Sequence, residues 1–198
     1  MHGRSGPTSK GGSLDAPGPG VLRARRTWRF DGRVRPGWAE EPRLGQQSVW
    51  DFPRPPRIEP ESRRVRVEHA GALLAESRRA LRVLETAGAP TLYLPAADVE
   101  LGRLALNPSA SFCEWKGQAS LFDVQVADAH ALQAAWSYPD PYPEFQRLRG
   151  WLAFHPGRLD ACWLGDLRAR AQPGGYYGGW VTPDLAGPLK GEPGSGAW

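Results

Sequence analysis

Hydrophobic and polar positions along this chain change period often, and the first clear pattern is alternation. In RRVRVEHAGALLAES, Val65 and Val67 alternate with Arg64 and Arg66, and the chain turns at Ala70-Gly71 into an apolar run. Alternation on both sides of a turn predicts a β-hairpin. A second hairpin is predicted in ASLFDVQVADAHALQAAWSYP. There Phe122, Val124 and Val126 alternate, residues 127–130 turn, and a return strand runs to Trp136. TLYLP is a short strand stopped by Pro95, and LRGWLAFHPGRLDACWL gives two more around His155-Pro156-Gly157. RRALRVLET fits a short helix or a strand equally well, and AADVELGRL holds at most two helical turns. Several short strands separated by turn signals imply a mostly β domain.

Proline and glycine then divide the chain. SVWDFPRPPRIEP is extended and cannot be a central strand, because proline has no N–H to give a ladder. Residues 1–20 are small and polar, so a disordered tail is expected there. Residues 21–47 read as a basic arm with Trp28, Phe30 and Trp38 spaced through it, so it should lie over a domain surface. The domain is expected over 48–165, and 166–198 as a Gly-, Pro- and aromatic-rich C-terminal extension.

Composition sharpens this reading in three ways. Glycine (24) and proline (20) are abundant among 198 residues, which disfavours long helices. No run approaches the roughly 18 apolar residues of a membrane span, and the first 20 residues have no apolar core, so a cytoplasmic protein is expected. The net charge of +4 is uneven: residues 1–66 carry 14 Lys/Arg against 7 Asp/Glu, and the remainder 11 against 14. A weak nucleic-acid contact through residues 1–66 is the partner that this asymmetry suggests, although arginine-rich arms are commonly just solvated.

The stretches SVWDFPRPPRIEP, RRALRVLETAGAPTLYLPAADV, CEWKGQA, AAWSYPDPYPE and GWLAFHPGRLDA together resemble a bacterial family, domain of unknown function 427, over residues 48–163. That resemblance implies a small β-tent-like domain: two antiparallel sheets, one or two short helical segments, and flanking extended arms. Some β-tent domains hold structural zinc, and others keep small ligands in an aromatic cage. The family also carries a nucleotidyltransferase label.

The residues permit only some of these chemistries. Zinc needs four Cys/His ligands in close pairs, but Cys113, Cys162, His69, His130 and His155 are scattered singly. Nucleotidyl transfer needs a carboxylate cluster for Mg²⁺, and Asp123, Asp128, Glu85 and Asp98 offer none that is evident, nor is there a glycine-rich phosphate loop. No metal or cofactor is expected. In SFCEWKGQA, Cys113 stands three residues before Lys116. It reads as a packed thiol beside a Lys116-Gly117 turn, and an enzyme using Cys113 or a carboxylate is the rival reading. Arginine supplies 22 of the 25 basic residues, so a lysine at 116 stands out, either as a solvated turn residue or as an anion or carbonyl contact. Trp136 and Tyr138 share one face of a strand that prolines then hold extended, and Trp50 precedes a similar proline run. The favoured function is therefore binding of a small polar or cyclic ligand in an aromatic cleft formed by Trp50, Tyr93, Trp136 and Tyr138, with Lys116 as polar contact.

Overall fold

The computed structural model describes residues 16–198. The expected tail at 1–20 lies mostly outside the described residues. Its last two residues open a short helix, α1 (Pro19–Arg25), which starts on the proline that first-turn geometry favours.

Fifteen strands follow. β1 (Gln47–Ser48) leads to β2 (Arg57–Pro60), an edge strand, which suits its Pro60 and the proline run before it. The first expected hairpin is β3 (Val65–His69) and β4 (Ala72–Ser77). Ala70 and Gly71 make its two-residue turn, both with positive φ (47° and 73°) as a primed turn demands. RRALRVLET resolves as β5 (Leu81–Leu84), and TLYL is β6 (Thr91–Leu94). AADVELGRL supplies only two 3₁₀ turns, Ala96–Asp98 and Leu101–Arg103.

A long strand then appears that alternation did not reveal, β7 (Leu104–Cys113). Its Pro108 falls in a register shift between Leu106 and Ala110, at the sheet edge, where a missing N–H breaks no ladder on the open side. The second hairpin is β8 (Gly117–Val126) with β9 (Ala129–Ser137). β10 (Leu152–Phe154) and β11 (Ala161–Leu164) flank His155-Pro156-Gly157. Four two-residue strands complete the set: β12 (Leu167–Arg168), β13 (Arg170–Ala171), β14 (Trp180–Val181) and β15 (Leu185–Ala186).

Two antiparallel sheets carry the architecture, one of seven strands in the order β2-β5-β6-β10-β9-β8-β7 and one of four in the order β12-β11-β3-β4. The main core lies between them. Leu92, Leu94, Leu152 and Phe154 of the large sheet meet Val65, Val67, Cys162 and Leu164 of the small one. Period-2 alternation then sends the intervening residues to the large sheet's outer face. Leu81, Tyr93, Ala153, Trp136 and Leu121 are successive cross-strand partners there, forming one row over five strands.

Both flanking segments pack on this fold. β15 pairs in parallel with β1, and β13 pairs with β14. Trp180 is 1% exposed and donates its indole N–H to the Phe154 carbonyl at 3.0 Å. Val49, Trp50 and Phe52 form a separate core with Leu84, Val181 and Leu189. No helix among the described residues is long and apolar enough to cross a membrane.

Candidate functional site

Tyr93, Trp136 and Leu121 of the large sheet's outer row line the floor of a cavity of about 460 Å³. Its walls come from three parts of the chain. The sheet contributes Tyr93, Trp136 and Tyr138, the N-terminal segments contribute Trp28 and Arg54, and the C-terminal extension contributes Tyr176, Tyr177 and Lys190. The volume suits a ligand of drug or nucleoside size.

The β7–β8 hairpin places the polar group at the floor. Cys113 ends one strand, Gly117 opens the next as its partner, and Glu114-Trp115-Lys116 is the connection. Lys116 occupies a turn, yet it is only 8% exposed, so the solvated-turn reading is set aside. Its ammonium stands 5.9 Å from the Tyr138 ring centroid and 5.7 Å from that of Phe145. Burial works to lower its pKa, but the Cys113 sulfur, the Tyr93 oxygen and the Glu85 carboxylate favour the ammonium and shift it upward, so the side chain is a cation. Among the described residues it forms no ion pair with a carboxylate. The Cys113 thiol, half-exposed, lies within hydrogen-bonding reach of both Lys116 and the Tyr138 hydroxyl.

The rings around this lysine hold one another. Trp136 donates its indole N–H to the Tyr93 hydroxyl at 3.3 Å, and the two rings meet edge to face with centroids 6.3 Å apart. Tyr93 and Tyr138 are tilted at 6.4 Å. Burial raises the pKa of both phenols, Tyr138 well above its usual range, so both stay neutral donors near neutral pH. Tyr138 is 5% exposed and packs with Leu148 and Ala153, whereas Trp136 is only half-buried and faces the cavity.

The arms complete the enclosure. Arg25 donates to the carbonyls of Glu114 and Trp115, at 2.7 and 3.2 Å, and pairs with Glu144. Trp28 donates to Glu114 Oε1 at 2.8 Å. Arg54 donates to Glu85 and to the carbonyls of Phe30 and Thr86, and its guanidinium stacks on Trp28 at 4.4 Å. Lys190, which sequence reasoning missed, stands 3.2 Å from the Trp28 ring centroid and donates to the Trp198 main-chain oxygen at 3.2 Å. Burial, then the charge of Arg54, pushes its pKa down to about 8.

Gly178 lies flat against Trp136: a Cβ there would come 2.1 Å from the ring's Cη2 atom. We expect Gly178→Ala to swing Trp136 or lift the segment. The change should appear as a shift in tryptophan emission and a lower thermal midpoint, and unchanged values of both would show that the contact is loose.

The structure therefore brings Tyr93, Lys116, Trp136 and Tyr138 to one cavity. Trp50 goes elsewhere. It is fully buried in the separate core, with its indole N–H on the Pro188 carbonyl and its ring against Phe30, Trp38 and Trp198. The carboxylates are dispersed. Glu85 lines the cavity, Asp123 accepts from Asn107 and the Gln133 N–H, and Asp98 holds Arg79. Among the described residues no three His, Cys, Asp or Glu side chains converge as metal ligands. The second cysteine, Cys162, is buried in the main core, and burial pushes its thiol up to about 12.

A search of the curated proteins finds no match. A family model does match. It covers residues 57–165, from β2 to the residue after β11, and so includes the seven-stranded sheet, the four-stranded sheet apart from β12, the β7–β8 hairpin and the cavity floor, while most of the cavity's upper walls lie outside it. The chain belongs to the family described as Domain of unknown function (DUF427).

Proposed function

We propose that this chain binds a small polar or cyclic ligand in the aromatic cleft on the outer face of the seven-stranded sheet, with Tyr93, Trp136 and Tyr138 as walls and Lys116 as polar contact. The carrying observation is one cavity of about 460 Å³ whose floor combines these rings with a buried ammonium. Aromatic surface supplies affinity to a flat ligand, and a single desolvated charge fixes its orientation. Native mass spectrometry of the purified chain, followed by a thermal-shift panel of nucleotides, cyclic amides, acids and amines, tests this. A stabilising compound whose effect vanishes in Trp136→Ala supports the cleft, and stabilisation that survives the substitution places binding elsewhere.

A second reading, an enzyme using Cys113, draws on the thiol's place in that cavity beside Lys116. We favour packing and hydrogen bonding for this thiol. Cys113→Ser is then expected to cost on the order of 1 kcal/mol, because an apolar contact is exchanged for a hydroxyl. Rapid stoichiometric labelling of Cys113 by iodoacetamide near neutral pH would instead favour the enzyme. A weak nucleic-acid contact through residues 1–66 would have to use other arginines of the arm, since Arg25, Arg35 and Arg54 are held by carboxylates and carbonyls.

A further inference from the structure

Aromatic cages are usually matched to cations, because ring faces carry negative quadrupole density. In this cavity the chain already supplies those cations. The Lys116 ammonium stands over Tyr138 and Phe145, and that of Lys190 over Trp28. The Arg54 guanidinium also stacks on Trp28. A ligand bearing an amine would meet Trp28 already engaged and a lining that repels it, while the Trp136 face, over which no cation stands among the described residues, is left for an uncharged ring.

Charge among the lining residues points the same way. Arg54, Lys116, Arg158 and Lys190 stand against only Glu85 and Glu114. Both carboxylates already accept from the protein, Glu85 from Arg54 at 3.1 Å and Glu114 from the Trp28 indole at 2.8 Å. No carboxylate among the described residues pairs directly with Lys116: its near partners are the Cys113 thiol and the Tyr138 and Phe145 ring faces, and Glu85 acts on it only from beyond ion-pair distance, so its buried charge lacks the adjacent opposite charge that buried ions normally acquire. His155 lines the same cavity at 5% exposure. Its Nδ1 accepts the Gly157 N–H at 3.1 Å, which leaves the proton of the neutral ring on Nε2. That Nε2 makes no hydrogen bond of normal geometry, although the Gly175 carbonyl is close enough to interact with the ring.

We propose that the ligand of this cavity is an unsaturated cyclic anion, a ring carrying a carboxylate or a phosphate ester, whose negative group is taken by Lys116 while the ring lies against Trp136. This rests on the cleft-binding reading and adds the sign of the ligand's charge. An acceptor-only group supplies what the site lacks, and because folding has already desolvated Lys116, binding adds only the anion's own desolvation, which a direct charge-assisted hydrogen bond offsets. The segment around Tyr177, outside the family-matched region, would close over the ring.

Matched compounds decide it. The full chain is titrated by calorimetry with indole-3-carboxylate, indole-3-carboxamide and indole-3-methylamine, and with uridine monophosphate against uridine. The expected result is that in at least one set the acid binds tenfold or more tighter than its neutral counterpart, while the amine does not bind. The carboxylate and phosphate arms show which anion is preferred. In Lys116→Met the advantage of the acid should fall below about threefold. Neutral compounds or the amine binding as tightly as the acids overturns the charge assignment and leaves the cleft reading standing. No binding by any member removes both. An acid preference that persists in a folded Lys116→Met chain removes Lys116 as its origin and overturns the proposal. Should that variant fail to fold, the comparison of acid, amide and amine on the unaltered chain still decides the matter.

Discussion

Deleting residues 166–198 is expected to unfold the domain rather than trim it. The deletion removes Trp180, which is 1% exposed and held by the Phe154 carbonyl within the main core. It also takes away Val181 and Leu189 from the core that encloses Trp50. Gln172 would go too, leaving the Ala89 N–H, which it accepts at 2.9 Å, without its partner. Truncating one buried tryptophan typically costs about 3–5 kcal/mol, and small domains have only about 5–15 kcal/mol in total. Trp180→Ala alone should therefore lower the urea midpoint sharply, and the full deletion should abolish cooperative unfolding as followed by near-UV circular dichroism. A truncated chain that melts at the original temperature would mean that the extension contributes nothing to the fold.

The pattern that hid this dependence is instructive. GGYYGGWVTPDLAGPLKGEPG has no period because its strands are two residues long and its contacts are made one side chain at a time. Periodicity detects an element that repeats a face, and here no face repeats. The two hairpins were legible for the opposite reason. Their alternation runs over five or more residues and is closed by a turn with the required backbone. β7 was not legible, since its edge position tolerates Pro108 and relieves its outer side of any apolar requirement.

The same logic divides the candidate site. Trp136 and Tyr138 could be assigned to one face by parity, and Cys113 and Lys116 to one turn by the glycine that follows. Trp50 could not be separated from them, because an aromatic residue before a proline run looks the same whether it lines a cleft or fills a core. Lys190 shares the rarity that made Lys116 stand out, but nothing around it in the sequence ties it to a site. It reaches the cavity through a chain path of isolated contacts, among them the Gln172 amide on its own carbonyl. The burial of Lys116 was equally hidden, since it follows from Tyr142, Phe145 and the arm residue Arg25 closing around the turn.

Two substitutions two residues apart should separate folding from binding within the cleft. Tyr138→Ala removes a ring that is 95% buried against Leu148, Ala153 and Tyr93, so a loss of about 3–5 kcal/mol is expected, enough to unfold a marginal domain. Trp136 faces the cavity and is only half-buried. Trp136→Ala should cost less, about 1–2 kcal/mol, because part of the ring is already in water. Its effect on the proposed ligand should be larger, since the face against which that ring would lie disappears; a tenfold or greater loss of affinity is expected. Tyr138→Phe supplies the control. It keeps the packing and removes only the hydroxyl within reach of Cys113, so stability should change little. The measurements are thermal midpoint and calorimetric affinity on each variant, with the first stabilising compound from the panel. Equal losses of stability in Trp136→Ala and Tyr138→Ala, with affinity retained in the former, would make both rings core and leave the cleft without a function. A stable Trp136→Ala chain that no longer binds, beside an unfolded Tyr138→Ala, is the outcome expected of the proposed cleft.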